Sequence, residues 1–295
     1  VSDILEDTSP QAMARAVEAS VVAFYAYFGR MPGAQLHDDA DLTWYATGIP
    51  APHFNAVLRT QLAPRLSAAE LDTRIAATLD HFTARGLPAL WWQMPSTLPA
   101  DIGTALAARS LAFGGTRPGM GVDLAALPDA EAADAVPGLE IEIVADLPAY
   151  ERWVDVFAAS YGYTPEVATR YFALTSAAPL GPVLPARHYL GRLDGAPVAI
   201  ATLFVAAGVA GLYHVGTLPE VRGRGVGRAL ALAPLLDARR LGYRVGVLFS
   251  SPMGLNIYRR LGFQTVCELS RYVLERTDRM AGADPADPAD PAHRT

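Results

Sequence analysis

The chain has 295 residues and no lysine; all 24 of its basic residues are arginine, and they are outnumbered by 30 acidic ones. Without lysine there is no Walker A loop, which needs Gly-Lys-Ser or Gly-Lys-Thr to reach the phosphates. A net charge of −6 argues against a general nucleic-acid surface. Cysteine is almost missing too. Cys267 stands alone, so no intrachain disulfide can form and a reduced, cytoplasmic setting is the expectation. No run approaches the ~20 apolar residues that a membrane span requires. The opening residues show no charged-then-apolar pattern of a secretory signal, and Val17 to Phe28, interrupted by Glu18 and Ser20, reads as a buried amphipathic helix. His37, His53, His81 and His188 have no ligand spacing, so no metal is expected.

What is present describes a compact protein with a large core: 51% of residues are apolar and 18% charged. The length allows two domains. Arginine without lysine, with abundant Ala, Gly and Pro, suggests a GC-rich bacterial source. Pro10 to Phe28 reads as a helix, and Leu42 to Ala46 and Phe54 to Leu58 as strands. Ser67-Ala-Ala-Glu70 is a capping box opening a helix that Gly86 stops. Leu87 to Met94 reads as a buried strand whose Trp91 and Trp92 are core or packing residues. A helix from Pro99 to about Ser110 and a strand from Gly121 to Leu127 follow.

Pro128 to Pro137, acidic and alanine-rich, reads as a linker. Beyond it come a strand (Leu139 to Val144), helices at Tyr150 to Ser160 and Pro165 to Leu174, and strands at Arg187 to Leu193 and Pro197 to Val205 joined by Asp194-Gly195. The order β-β-α-β-α-β of the first half recurs in the second. Leu111-Ala-Phe113 matches Leu261-Gly-Phe263, and an alternating strand follows each, so the first half reads as a diverged copy of the second. The tail repeats Ala-Asp-Pro and reads as disordered.

The chemistry concentrates between His214 and Phe263. An apolar strand, Leu212 to Thr217, leads into Arg222-Gly-Arg-Gly-Val-Gly227 and a helix from Arg228 to Leu241. Glycines between a strand and a helix let backbone N–H groups approach an anion at the helix N-terminus. The dinucleotide fingerprint G-x-G-x-x-G is not met, because Gly227 comes one residue early and Arg228 stands where the third glycine belongs. Arg-x-x-Gly-x-Gly is met by Arg222, Gly225 and Gly227. That spacing resembles the pyrophosphate loop of the acetyl-CoA-dependent N-acetyltransferase (GNAT) superfamily. Tyr258-Arg-Arg-Leu-Gly262-Phe263, after a strand from Tyr243 to Phe249, is similar to the family's last helix and turn.

The resemblance implies an α+β (α/β) fold of two tandem GNAT-like domains, each a mixed, mainly antiparallel sheet flanked by helices. The expected spans are 1–127, a linker at 128–137, a catalytic domain at 138–276 and a tail at 277–295. It implies acetyl-CoA as co-substrate, held by Arg222, Gly223, Arg224, Gly225, Val226, Gly227 and Arg228, with backbone groups of Val215 and Thr217 on the pantetheine arm and Asn256 as a further contact. Tyr258 is the candidate acid, since a neutral phenol (pKa ~10) can lend its proton to a departing thiolate. Where some members carry a Glu or His base, this chain has Gly211; Tyr213, two residues on and on the same face by alternation, is the substitute candidate. Alternation puts His214 on the opposite face. The first half lacks the glycine loop and has Ala108 at the tyrosine position. The expected activity is direct acetyl transfer to a small-molecule primary amine, by a monomer or homodimer binding neither nucleic acid nor membrane. The alternative is a non-catalytic acyl-CoA sensor or scaffold. Tandem architecture also resembles mycothiol synthase, but Ser251 to Tyr258 departs from that pattern. The acceptor wall is expected from Tyr161 to Tyr163, Ala206 to Gly211 and the first half.

Overall fold

A computed structural model describes residues 3–63, 66–128 and 136–275. Most of the expected linker and all of the Ala-Asp-Pro tail lie outside the described residues. The chain forms two compact units, each discontinuous in sequence. One takes the described residues up to Val21 together with those of Pro118–Val266; the other takes those of Val22–Arg117 and Cys267–Glu275.

In the Val22–Arg117 unit, strands β1 (Gln35–Asp38), β2 (Leu42–Ala46) and β3 (Asn55–Thr60) form an antiparallel meander. Strand β4 (Ala89–Gln93) then runs parallel to β3 after the crossover helix α2 (Ala68–Thr83). Antiparallel to β4 lies not the next strand in sequence but residues 270–274 of the last strand, β11 (Gln264–Leu274). Helix α2 and the short α3 (Ile102–Ala108) cover a core of Trp44, Val57, Ile75, Phe82, Trp91 and Leu106. Both Trp91 and Trp92 are buried, and the Trp91 indole donates to Thr60 Oγ1 at 3.1 Å.

The other unit repeats the pattern. Strands β6 (Leu139–Ile143), β7 (Ala186–Leu193), β8 (Ala196–Ala206) and β9 (Val209–Thr217) are antiparallel neighbours. Helix α6 (Val226–Arg240) crosses over to β10 (Val245–Phe249), which is parallel to β9. The strand beyond β10 comes from the first half of the chain: Gly119–Asp123 of β5 (Ala112–Asp123) pair antiparallel with it. Thus each unit completes its sheet with a strand end from the other half of the sequence. β5 begins nine residues before the expected Gly121, and a 3-10 turn at Leu124–Ala126 follows it. The start of helix α1 (Pro10–Gly29) also packs here: Met13 lies against Gly121, where any side chain would meet its sulfur at 2.6 Å.

Helices α4 (Leu147–Tyr161) and α5 (Pro165–Thr175) begin at side-chain caps, Asp146 on the Ala149 N–H and Thr164 on the Val167 N–H. Gly162, left-handed at φ 70°, ends α4. Leu230 and Leu235 of α6 are fully buried against the sheet, each stabilising by about 1.5–3 kcal/mol. Asp194 and Gly195, with φ of 50° and 82°, make the expected two-residue hairpin turn.

Candidate cofactor and acyl-transfer site

Parallel strands β9 and β10 pair only at Ala210–Gly246 and Gly211–Val247. Past Gly211, β9 stays with β8 while Leu248 and Phe249 of β10 stay with β5. The two strands therefore part into a wedge with its apex at Gly211 and its mouth toward the glycine loop. At the mouth, Gly223 and Gly225 have φ of 78° and 85°, where a Cβ is disfavoured. Gly225 is the N-cap of α6 and supplies no side-chain cap, unlike Ser67, Asp146 and Thr164 on α2, α4 and α5. Among the described residues, the N–H groups of Gly223, Arg224, Gly225, Val226 and Gly227 have no acceptor in the chain; the first internal bonds of the helix are Arg228 N–H and Ala229 N–H to Gly225 O. Five donors around a helix N-terminus form a cradle for an anion.

The elements that meet here are packed on glycine for a reason. At Gly227 a Cβ would stand 3.2 Å from Thr217 Oγ1 and 3.5 Å from Ile257 Cδ1, so the end of β9, the start of α6 and helix α7 (Leu255–Arg260) converge on it. The three arginines differ in task. Arg222 Nε donates to Thr217 O at 3.1 Å and its Nη2 to Ser160 O at 3.4 Å, so its guanidinium braces the loop against β9 and the end of α4. Arg224 is exposed and Arg228 half-buried, and neither makes an ion pair among the described residues. Asn256 is exposed on α7. The carbonyls of Val215 and Thr217 are already engaged, by Tyr161 Oη at 3.2 Å and by Arg222 respectively.

Tyr258 is buried on α7, its ring edge-on to Phe263 at 5.9 Å and lying over Gly254, where a Cβ would touch it at 2.8 Å. Burial raises its pKa above the ordinary phenol range, so it holds its proton at neutral pH.

Tyr213 and Phe249 are each the second residue past the last β9–β10 pair, one on each lip of the wedge, with rings 6.3 Å apart and edge-on. Gly211 lies beneath the Tyr213 ring. A side chain there would overlap that ring and come within 2.7 Å of Ser20 Oγ, so glycine at this position is a packing requirement. The Tyr213 hydroxyl meets Ser20 Oγ of α1 at 2.8 Å, and Ser20 is completely buried. This contact was not read from the sequence, although Ser20, a polar residue interrupting an apolar helix face, was its visible signal.

His214 corrects the alternation argument. It has a φ of 50°, and the β8–β9 register slips between Ile200 and Thr202, leaving one extra residue on β9. This bulge reverses the parity beyond it. His214 consequently packs against Phe157 (4.9 Å), Trp153 (5.6 Å) and Tyr171 (6.2 Å) of α4 and α5, and Gly216 faces Ser160. Burial, with a smaller contribution from His188, lowers its pKa to about 3 and keeps it neutral. Tyr161 and Tyr163 are half-buried and stacked at 6.2 Å. Of the expected Ala206–Gly211 wall, Ala207 and Gly208 form a hairpin turn, held by Leu5 N–H on Gly208 O at 2.9 Å.

The matching parallel pair in the other unit is closed. Past Val57–Trp91, Leu98 N–H donates to Thr60 O and Leu62 N–H to Leu98 O, so the chain's own backbone fills the gap. Helix α2 is capped there by Ser67, and Glu70 places a carboxylate at its start, accepting from Ser67 N–H at 2.7 Å.

The family model described as an acetyltransferase (GNAT) domain matches residues 185–265. No curated protein matches the chain in sequence. Among solved structures, a GCN5-related N-acetyltransferase from Kribbella flavida is similar over 90% of this chain and 96% of its own, with 18% identity and a TM-score of 0.65. A tandem GNAT protein from the clavulanic acid biosynthesis pathway is similar over 94% of this chain and 98% of its own, with 14% identity and a TM-score of 0.56. A GCN5-related N-acetyltransferase from Sphaerobacter thermophilus aligns with 83% of this chain and 77% of its own, at 18% identity and a TM-score of 0.58. The chain has the fold of tandem GNAT proteins, and the GNAT domain match falls in its second half. No described helix is long and apolar enough to cross a membrane.

Proposed function

We propose that the protein is an acetyl-CoA-dependent N-acetyltransferase that acylates a primary amine on a small molecule by direct transfer in a ternary complex. The observation that carries this reading is the pairing of an open β9–β10 wedge with five N–H donors that have no acceptor among the described residues at its mouth. The residues fit the co-substrate: an anionic diphosphate meets the N–H groups of Gly223 to Gly227 and the charges of Arg224 and Arg228, and the gap past Gly211 offers strand edges to an amide-bearing arm.

When bound, acetyl-CoA supplies a thioester carbon open to attack by a neutral amine. The chain's part is to hold, orient and supply a proton. Arg222 braces the loop, two of its five N–H donors reaching Thr217 O and Ser160 O. Tyr258 Oη, kept protonated by burial, is the proton source for the departing sulfur, and the proton lost by the amine nitrogen as the C–N bond forms and the C–S bond breaks passes to solvent, from which the phenol is reprotonated. No cysteine occurs in residues 212–228 or 248–258, so the reading is direct transfer without an acyl-enzyme. The acceptor side is the aromatic face of Tyr161, Tyr163 and His214, which suits an amine with an apolar body rather than a polycation.

The test is a panel of primary amines with acetyl-CoA, followed by free-thiol release, beside a calorimetric titration with CoA. Amine-dependent release with micromolar CoA binding supports the proposal. CoA binding without turnover on any amine would leave a non-catalytic acyl-CoA sensor or scaffold. Absence of CoA binding would overturn both.

A further inference from the structure

We infer that Tyr161 is a specificity-determining residue of the co-substrate site: its hydroxyl holds the rung of β9 that an amide N–H of the arm must take over, so the wedge favours an arm that brings a donor to that rung. The inference rests on the acyl-CoA reading above. It starts from the edges of β9. Leu218 N–H donates to Val198 O of β8 at 2.9 Å, and Gly216 pairs with Ile200. Backbone groups alternate between the two edges of an antiparallel strand, so Val215 and Thr217 turn theirs to the edge along which β10 has parted from β9. Two side chains have come to that edge. Arg222 Nε donates to Thr217 O at 3.1 Å, and Tyr161 Oη donates to Val215 O at 3.2 Å. A carbonyl has no proton to give, so the phenol is the donor and its oxygen lies at the gap.

The fold places Tyr161 at this edge. It is the last residue of α4, and Gly162, left-handed at φ 70°, ends the helix behind it. Ser160 lies against bare Gly216, where a Cβ would overlap Ser160 Oγ, and Ser160 O accepts from Arg222 Nη2 at 3.4 Å. The end of α4 is thereby pinned both to β9 and to the glycine loop. The Arg222 contact belongs to the loop itself. The Tyr161 contact comes from a half-buried side chain outside the loop, and it is the one a ligand can exchange. The closed copy shows the partner for that exchange. There a carbonyl facing the gap, Thr60 O, takes the backbone N–H of Leu98 at 3.0 Å. An amide N–H of the arm does at Val215 O what Leu98 N–H does at Thr60 O. The displaced phenol stays with Phe157 and Tyr163, whose rings lie 5.1 and 6.2 Å from its own. A ligand with no donor at that rung would displace the phenol and leave Val215 O unpaired, which carries a desolvation cost.

The experiment uses the full chain with CoA and ADP as probes; ADP keeps the diphosphate and lacks the arm. Wild type and Tyr161→Phe are compared by the calorimetric Kd of CoA, by the Kd of ADP from displacement of CoA, and by the melting temperature of the free and the CoA-saturated protein. Phe keeps the ring and removes the donor. Wild type must break one hydrogen bond at Val215 O to make another, and the variant need not. Tyr161→Phe should therefore bind CoA about threefold to tenfold more tightly, with ADP affinity within about twofold of wild type. The free variant should melt below free wild type, and the two CoA-saturated proteins should melt together, because neither keeps the phenol on Val215 O. CoA affinity in folded Tyr161→Phe that equals or falls below wild type would overturn the inference and leave the acyl-CoA reading intact. An equal loss of melting temperature with and without CoA would show that the contact persists in the complex, and the inference fails. A gain shared equally by ADP would place the effect at the cradle and overturn it too. A wild type that binds no CoA overturns the acyl-CoA reading and this inference together.

Discussion

Replacing Gly225 with alanine and with glutamate separates backbone strain from charge at the cradle. Gly225 has a φ of 85° and caps α6. An L-residue held in the left-handed region costs about 1–2 kcal/mol. A Cβ here would also meet Val136 Cγ2 at 3.2 Å, a contact the methyl can relieve by a small rotation. That strain is present with and without ligand, so Gly225→Ala should lower stability by about 1–2 kcal/mol and weaken CoA by less than about tenfold. Gly225→Glu adds a carboxylate beside the five N–H donors. Repulsion between two unit charges at 4 Å is about 1 kcal/mol in bulk water and about 4 kcal/mol at the effective dielectric of a protein surface. CoA affinity should therefore fall by on the order of 10–10³-fold relative to Gly225→Ala. The assay is isothermal titration with CoA at low and high ionic strength, with a thermal melt on each preparation. The difference between the variants should shrink in high salt as the charge is screened. Equal CoA affinity in folded Gly225→Glu and wild type would falsify the assignment of the loop.

Three further outcomes are expected. Tyr258→Phe keeps the ring that packs on Gly254 and Phe263, so turnover should drop by roughly 10²–10⁴ with CoA affinity unchanged, and a loss under about threefold at equal stability would retire Tyr258 as the acid. Calorimetry should give one CoA per chain, since Leu98 closes the β3–β4 gap and Glu70 occupies the start of α2; a stoichiometry of two would contradict that reasoning. Below pH 6.5 the protein should lose stability. Burial holds His53 and His214 at a pKa of about 3 and His188 at about 4, so the unfolded chain takes up protons that the folded chain refuses. Each ring then removes up to about 1.4 kcal/mol per pH unit between pH 6.5 and its folded value. Denaturant unfolding that is flat from pH 6.5 to 5 would contradict the burial of these rings.

Local patterns carried most of the secondary structure. Ser67 and Glu70 form the capping box their spacing announced, and β2 spans the expected Leu42–Ala46. The loop was legible because Arg222, Gly225 and Gly227 are spaced for one geometry. Three features were not legible. β1 is four mostly polar residues with no apolar alternation to mark it. The first part of β5, Ala112 to Met120, contains three glycines and Pro118, a composition depleted in strands. Its glycines answer to neighbours far off in sequence: a Cβ at Gly114 would meet Val273 at 2.9 Å. The bulge at His214 has no composition signal, yet it decides which face half of β9 presents.

The two halves also differ in how the polar groups of a parting parallel pair are satisfied. A parallel pair that parts leaves strand edges and a helix N-terminus with polar groups to satisfy, and buried polar groups left unpaired are costly. In the Val22–Arg117 unit the chain satisfies its own: Leu98 hydrogen-bonds across the gap, Ser67 caps the helix, and Glu70 supplies the negative charge that the helix start favours. In the other unit a glycine cap leaves the same groups open and the positive charges of Arg224 and Arg228 beside them. What a ligand must provide there is what Leu98, Ser67 and Glu70 provide in the closed copy: backbone-like hydrogen bonds along the gap and an anion at the helix. A diphosphate joined to an arm containing amide groups supplies both. The closed half need not be idle, because its own chain gives the open unit Gly119–Asp123 as the strand beside β10 and Ser20 as the partner of Tyr213. Closure of the gap in the first half and retention of its strand and helix are therefore compatible: the groups that close the gap lie at Thr60, Leu62 and Leu98, and those that serve the other unit lie at its two ends.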